Sequence, residues 1–207
     1  MTDQFKIPEK TITNIIGRAI PKPANDQNTD DILPARYMKE ITFKKMGEYV
    51  YFDERFKEGK IVKEHPFNDE KYKGATILIA GANYGCGSSR EHAPQALHRF
   101  GINAVIAGSF AEIFAGNCAS LGLVGIVVPP EKITMLAEYV EQKPSTEFDI
   151  DLAQKVIRYD EHVVEFDMPE GRRQAFLNGL WDAMAILEQN EGKIKETAAG
   201  LPYLKFR

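Results

Sequence analysis

The sequence predicts an α/β fold organised around a parallel three-stranded core. The runs ATILIAG (75–81), INAVIAG (102–108) and LVGIVVP (123–129) are short, apolar and of strand length. Two segments that read as helices separate them, one around PQALHRF (94–100) and one at SFAEIFAGNCASLG (109–122). Gly101 and Gly122 stand just past these segments, where a left-handed residue commonly ends a helix. A β-α-β-α-β order of this kind closes with right-handed crossovers and parallel strands.

The other elements follow in chain order. ITNIIGRAIP (11–20) is rich in β-branched residues and reads as an opening strand. PKPANDQNTDDILP (21–34) reads as an ordered loop, with Asp30 and Asp31 bracing it through side-chain bonds to backbone. ARYMKEITFKKMGEYVYF (35–52) suggests a short helix followed by irregular chain, and 53–74 is polar and turn-like. Ser109 is placed to N-cap the second crossover helix. The segment 146–169 alternates in KVIRY and HVVEF, which predicts a two-strand excursion. Residues 170–200 read as two helices parted near Gly179, with Trp181, Met184 and Leu187 forming a core-facing stripe. The expected organisation is one domain over 1–207 with a helical extension at about 170–200.

Composition narrows the function classes. The chain has 207 residues, 43% hydrophobic and 27% charged, as ordinary soluble domains do. A net charge of −4 argues against nucleic-acid binding through a global basic field. MTDQFKIPEK lacks the pattern of a signal peptide, and GLVGIVVPP (122–130) falls far short of the ~20 apolar residues of a membrane helix. The only cysteines, Cys86 and Cys118, lack CxxC spacing, which fits a reducing cytoplasm and gives this chain no cysteine set for zinc or iron–sulfur.

The stretch GANYGCGSSREHAP (81–94) carries the chemistry. It is not a Walker loop, since it holds no lysine. It is not a dinucleotide fingerprint, because Arg90 occupies the third glycine position, nor a nucleophile elbow, because Glu91 stands where glycine is needed. The Asp-rich loop fails as an EF-hand in the same way, with Asp31 and Tyr37 at the glycine and glutamate positions. Ser88 and Glu91 have the spacing of a capping box, although Pro94 would then fall in the second turn. Capping does not account for a second serine and an arginine on the same tip. Exposed amides, two hydroxyls and a guanidinium at a strand-to-helix junction suit a carboxylate or another anion.

GCGSSREHAP, followed by SFAEIFAGNC and LVGIVV, resembles the aconitase superfamily. The resemblance is strongest to the small subunits of the 3-isopropylmalate dehydratases. It extends through NTDDILPARYMK (28–39), FDERF (52–56) and RRQAFLNGLWDAMAILEQ (172–189), and so covers most of the chain in order. It implies a three-layer β/β/α swivelling domain with added C-terminal helices. It also implies a hydro-lyase that moves a hydroxyl between adjacent carbons, active only with a larger subunit. That partner would carry a [4Fe–4S] cluster as Lewis acid on the substrate, and this chain would carry none.

The resemblance assigns residues as well. Ser88 would be the catalytic base, its alkoxide needing support from backbone N–H groups or a cation. Ser89 would contact substrate, and Arg90 would bind a substrate carboxylate in bidentate fashion. Arg55 in FDERF and Arg36 in PARYMK are the further candidate substrate contacts. His92 is expected to be structural, Glu91 to orient the serine turn or Arg90, Cys118 to lie in the core, and Asn117 to bond the active-site loop. The expected reaction is isomerisation of 2-isopropylmalate to 3-isopropylmalate in leucine biosynthesis, in the cytoplasm, without nucleic acid or membrane. A homoaconitase small subunit, or one acting on citraconate or methyl-substituted malates, would keep Ser88 and Arg90 and differ around residues 35–45. A non-catalytic anion-binding protein is the alternative of another class.

Overall fold

The structure, a computed structural model, describes residues 10–40, 42–87 and 90–204. Strand β1 (Asn14–Lys22) leads to α1 (Thr29–Ile32), α2 (Phe52–Arg55) and a hairpin of β2 (Phe56–Lys57) and β3 (Lys60–Ile61). Then come β4 (Ile77–Ala80), α3 (His92–Phe100), β5 (Ala104–Ala107), α4 (Glu112–Ser120), β6 (Val124–Val127) and α5 (Pro130–Gln142). The chain continues through β7 (Glu147–Asp151), β8 (Val156–Tyr159), β9 (His162–Glu165), α6 (Glu170–Leu177), α7 (Ala183–Gln189) and α8 (Glu191–Gly200). The expected α/β class and parallel core are both present.

Seven strands form one sheet in the order β6-β5-β4-β1-β7-β8-β9. Strand β1 belongs to two half-sheets. Its first half, Asn14 to Arg18, runs antiparallel to β7, and its second half, Ala19 to Lys22, runs parallel to β4. Burial follows this division. Side chains alternate at the start of β1 and are buried from Ala19 onward, as expected where a sheet passes from one covered face to two. Strands β4 and β5 are buried throughout, and each Ile or Leu there contributes about 1.5–3 kcal/mol by leaving water.

The crossover helices end as the sequence predicts. Gly101 has φ +114 beyond α3 and Gly122 has φ +78 beyond α4. Helix α3 begins at His92, so Pro94 sits in its first turn, where the missing N–H costs no intrahelical bond.

Three expectations about elements are corrected. Ser109 does not cap α4. The N-cap is Ala111, without a side-chain bond, because the Ser109 hydroxyl accepts the backbone N–H of Asn83 at 2.7 Å. The excursion after residue 146 has three strands rather than two, since EFDID pairs back onto β1. The C-terminal region holds three helices, and its stripe is not core. Met184 is 66% and Leu187 50% exposed. Trp181 alone packs inward, lying against Gly122 and donating its indole N–H to the Lys10 carbonyl at 2.7 Å. The 35–52 segment forms 3-10 turns at Ala35–Lys39 and Phe43–Tyr49, and the second packs along α3.

Candidate active site

Strands β1, β4, β5 and β6 are parallel, so their C-terminal ends share one edge of the sheet. The loops leaving that edge meet there, the usual place for a ligand in such a sheet. The glycine-rich loop is laced to its neighbours on both sides. Towards the β1 loop, the Ala82 N–H donates to Asn25 Oδ1 at 2.8 Å, the Gly85 N–H to the Gln27 carbonyl at 2.8 Å, and Asn83 Nδ2 to Asp26 Oδ1 at 2.8 Å. Towards the β5 loop, the Tyr84 N–H donates to the Ser109 carbonyl at 2.9 Å and the Ala111 N–H to the Tyr84 carbonyl at 3.0 Å.

Two glycines make this lacing possible. Gly81 passes so close to the β1 loop that a Cβ would sit 2.4 Å from the Ala24 carbonyl oxygen. Gly85 has φ +76, and a Cβ there would lie 2.1 Å from the Phe114 ring.

Helix α1 forms the opposite wall. Asn28 caps it, accepting the N–H groups of Asp30 at 2.7 Å and Asp31 at 3.0 Å, while Asp31 returns a bond to the Asn28 N–H at 3.0 Å. The Thr29 N–H reaches the Cys86 carbonyl at 2.9 Å. Arg90 donates from Nη1 to Asp30 Oδ1 at 2.8 Å. The Asx bracing expected of Asp30 therefore comes from Asn28, and Asp30 directs its carboxylate at Arg90.

Ser88 and Ser89 lie outside the described residues, between two anchored points, Cys86 and Arg90. Glu91 pairs with Gln95 Nε2 at 3.0 Å rather than with Arg90. His92 packs against Phe43 with ring centroids 5.4 Å apart, a structural contact. Cys118 is buried and its thiol pKa is pushed up by burial. Asn117 makes no side-chain hydrogen bond to a described residue.

The other two candidate arginines attach to α2. Arg36 forms a two-pronged pair with Asp53, with Nη1 to Oδ2 at 2.8 Å and Nη2 to Oδ1, and stacks 4.7 Å from the Tyr37 ring. The hydrogen bonds with Asp53 raise the Arg36 pKa, and Arg36 in turn lowers that of Asp53. Arg55 donates from Nε to Asn68 Oδ1 at 2.8 Å and from Nη1 to the Val50 carbonyl at 3.1 Å, with burial lowering its pKa. Among the described residues, Arg36 and Arg55 share no hydrogen-bonding or ion-pair partner with Arg90.

Beneath the glycine-rich loop lies a buried polar group that sequence reasoning missed. The Tyr84 and Tyr51 hydroxyls share a hydrogen bond of 2.6 Å, and burial raises both pKa values. Tyr51 is fully buried with φ +49, a conformation rare for an aromatic residue. Lys22 lies 4.6 Å from the Tyr51 ring centroid and pairs with Glu54 at 2.9 Å. His65 stands 3.4 Å from the same carboxylate, an ion-pair distance without hydrogen-bond geometry. Together His65 and Lys22 hold the Glu54 carboxyl down at about 2, against an ordinary 4.5.

A folded-state pKa below the unfolded one stabilises above the unfolded value, and the contribution fades as pH falls through the folded one. Glu54→Gln is therefore expected to lower Tm near neutral pH. The difference from wild type should shrink between about pH 4.5 and pH 2. A Tm difference constant across that range would contradict this role for the carboxylate.

Comparison with known proteins agrees with this architecture. The Aconitase C-terminal domain family matches residues 10–131. A 3-isopropylmalate dehydratase small subunit from Thermus thermophilus is 44% identical over 191 residues, covering 92% of this chain and 95% of the relative. The chain belongs to the 3-isopropylmalate dehydratase small-subunit family. A Synechocystis small subunit is 40% identical, covering 95% of this chain and 96% of its own. The crystal structure of 3-isopropylmalate dehydratase from Methanocaldococcus jannaschii aligns with a TM-score of 0.64 at 28% identity, over 89% of this chain and 99% of that one. Membership carries the aconitase-type α/β fold expected from the motifs, and places the chain among hydro-lyase subunits.

Proposed function

We propose that this chain is the small subunit of a 3-isopropylmalate dehydratase. With its large subunit it would isomerise 2-isopropylmalate to 3-isopropylmalate in leucine biosynthesis, in the cytoplasm. The observation that carries the reading is the near full-length identity, about two residues in five, to small subunits from several bacteria. Supporting it, the glycine-rich loop over residues 81–87, which leads into the serine pair, leaves the C-terminal edge of the parallel strands and is held to its neighbours by backbone bonds.

In this reading Ser88 takes the proton from the carbon beside a substrate carboxylate. The hydroxyl leaves the adjacent carbon as water, taking a proton from an acid of the large subunit, and a double bond forms to give isopropylmaleate. Water then adds with the opposite orientation, returning a proton to that group, and Ser88 returns its own proton to the other carbon. Arg90 holds a carboxylate and Ser89 contacts substrate. Arg55 and Arg36 are proposed as secondary contacts, through guanidinium donors not used in their bonds to Asn68, Val50 and Asp53.

A [4Fe–4S] cluster belongs, in this reading, to the large subunit. Among the described residues no three His, Cys, Asp or Glu side chains converge as metal ligands, and buried Cys118, its thiol pKa raised, is a poor thiolate donor. The part of the chemistry given to this chain is proton transfer and carboxylate binding. No helix among the described residues is long and apolar enough to cross a membrane.

The test is a substrate panel. The chain is assembled with a cluster-loaded large subunit under anaerobic conditions and offered 2-isopropylmalate, homocitrate, citraconate and methyl-substituted malates. The absorbance of the unsaturated acid is followed. Preference for 2-isopropylmalate is expected. Preference for another acid would move the protein to a sister hydro-lyase, and no turnover from the loaded complex would point to a non-catalytic anion-binding role.

A further inference from the structure

We infer that Asp30 is a positioning residue for Arg90. The inference rests on the reading of Arg90 as a substrate-carboxylate contact.

Two consecutive residues of α1 grip the chain on either side of the serine pair. The Thr29 N–H holds the Cys86 carbonyl at 2.9 Å, before the serines. Asp30 Oδ1 holds Arg90 Nη1 at 2.8 Å, after them. Gly87 passes near the same turn, and a Cβ there would lie 3.5 Å from Asn28 Cβ and 3.6 Å from Thr29 Oγ1. Asp30 is itself fixed by its N–H bond to Asn28 Oδ1 at 2.7 Å. The Asp30 carboxylate therefore extends from a capped turn whose backbone is fixed.

The geometry of the pair suits orientation better than stability. Asp30 and Arg90 side chains are 54% and 31% exposed, and pairs so placed add little to folding. The contact occupies Nη1, and a guanidinium carries further N–H donors that a carboxylate can meet. Fixing a long arginine before substrate arrives lowers the ordering cost of binding. Asp30 therefore acts through Arg90 on substrate affinity.

The test uses the assembled two-subunit enzyme with 2-isopropylmalate. Asp30→Ala is expected to raise KM about tenfold while kcat stays within about threefold, the pattern of lost uniform binding. Asp30→Asn, which keeps an acceptor without the charge, should fall between wild type and Asp30→Ala. Tm should move by no more than about 2 °C. In an Arg90→Ala background, Asp30→Ala should add nothing further.

An unchanged KM in Asp30→Ala, beside an impaired Arg90→Ala, would overturn the inference alone. So would additive effects in the double variant, or a Tm loss that tracks the activity loss. An Arg90→Ala enzyme with normal KM and kcat would sink the reading of Arg90 itself, and the inference with it.

Discussion

Ser88→Ala in the assembled enzyme is expected to lower kcat by about a hundred- to ten-thousand-fold, the usual contribution of a positioned proton-transfer group. KM should change far less, since carboxylate recognition is assigned to Arg90. A serine hydroxyl is a weak base, so the residue works only if its surroundings stabilise the alkoxide. What the structure describes is the support on either side of it. The chain is fixed at Cys86 by Thr29 and at Arg90 by Asp30. Steady-state kinetics checks the expectation, and a variant within tenfold of wild type in kcat would remove Ser88 from the role of base.

The second large effect is expected at Gly85. Its φ of +76 costs a residue with a side chain about 1–2 kcal/mol. The added Cβ would also enter the Phe114 ring at 2.1 Å, and overpacking of this kind costs about 1–3 kcal/mol more. Gly85→Ala should therefore lower Tm by roughly 5–15 °C in a chain of this size. It should also impair catalysis, because the loop carrying the serines would have to move. Gly59 is the control. Its φ is +74, but nothing lies within 4 Å of a Cβ there, so Gly59→Ala pays the backbone cost alone. Thermal unfolding of the two variants separates packing from backbone strain, and equal Tm losses would show that the Phe114 contact relaxes without cost.

The parallel core could be read from the sequence because its signals are local. Apolar runs of strand length and a glycine past each helix need no knowledge of distant partners. The sharing of β1 was not legible, because Asn14 to Arg18 and Ala19 to Lys22 differ in partner and not in composition. Ser109 shows the competition that defeats local rules. It stands close to the start of α4, yet its hydroxyl is taken by the N–H of Asn83, 26 residues away. Trp181, Met184 and Leu187 share a helical spacing, but only Trp181 packs inward, against Gly122.

At the candidate site, the motif GSSRE could be found because it is contiguous. The partners that hold it could not. Asp30 meets Arg90 from 60 residues away, and Tyr84 meets Tyr51 from 33. Lys22, Glu54 and His65 come from three separate segments with no shared spacing. The arginines show the converse. Arg36 and Arg55 were selected by motif, and the structure finds both committed to partners around α2.

The central claim is that this chain is one half of a two-subunit hydro-lyase. The most direct measurement titrates it into a fixed amount of cluster-loaded large subunit and follows turnover of 2-isopropylmalate. The account predicts no turnover from either chain alone and a rate that rises and saturates as the complex forms. Turnover by the large subunit alone, or none from a complex shown by gel filtration to be assembled, would contradict it.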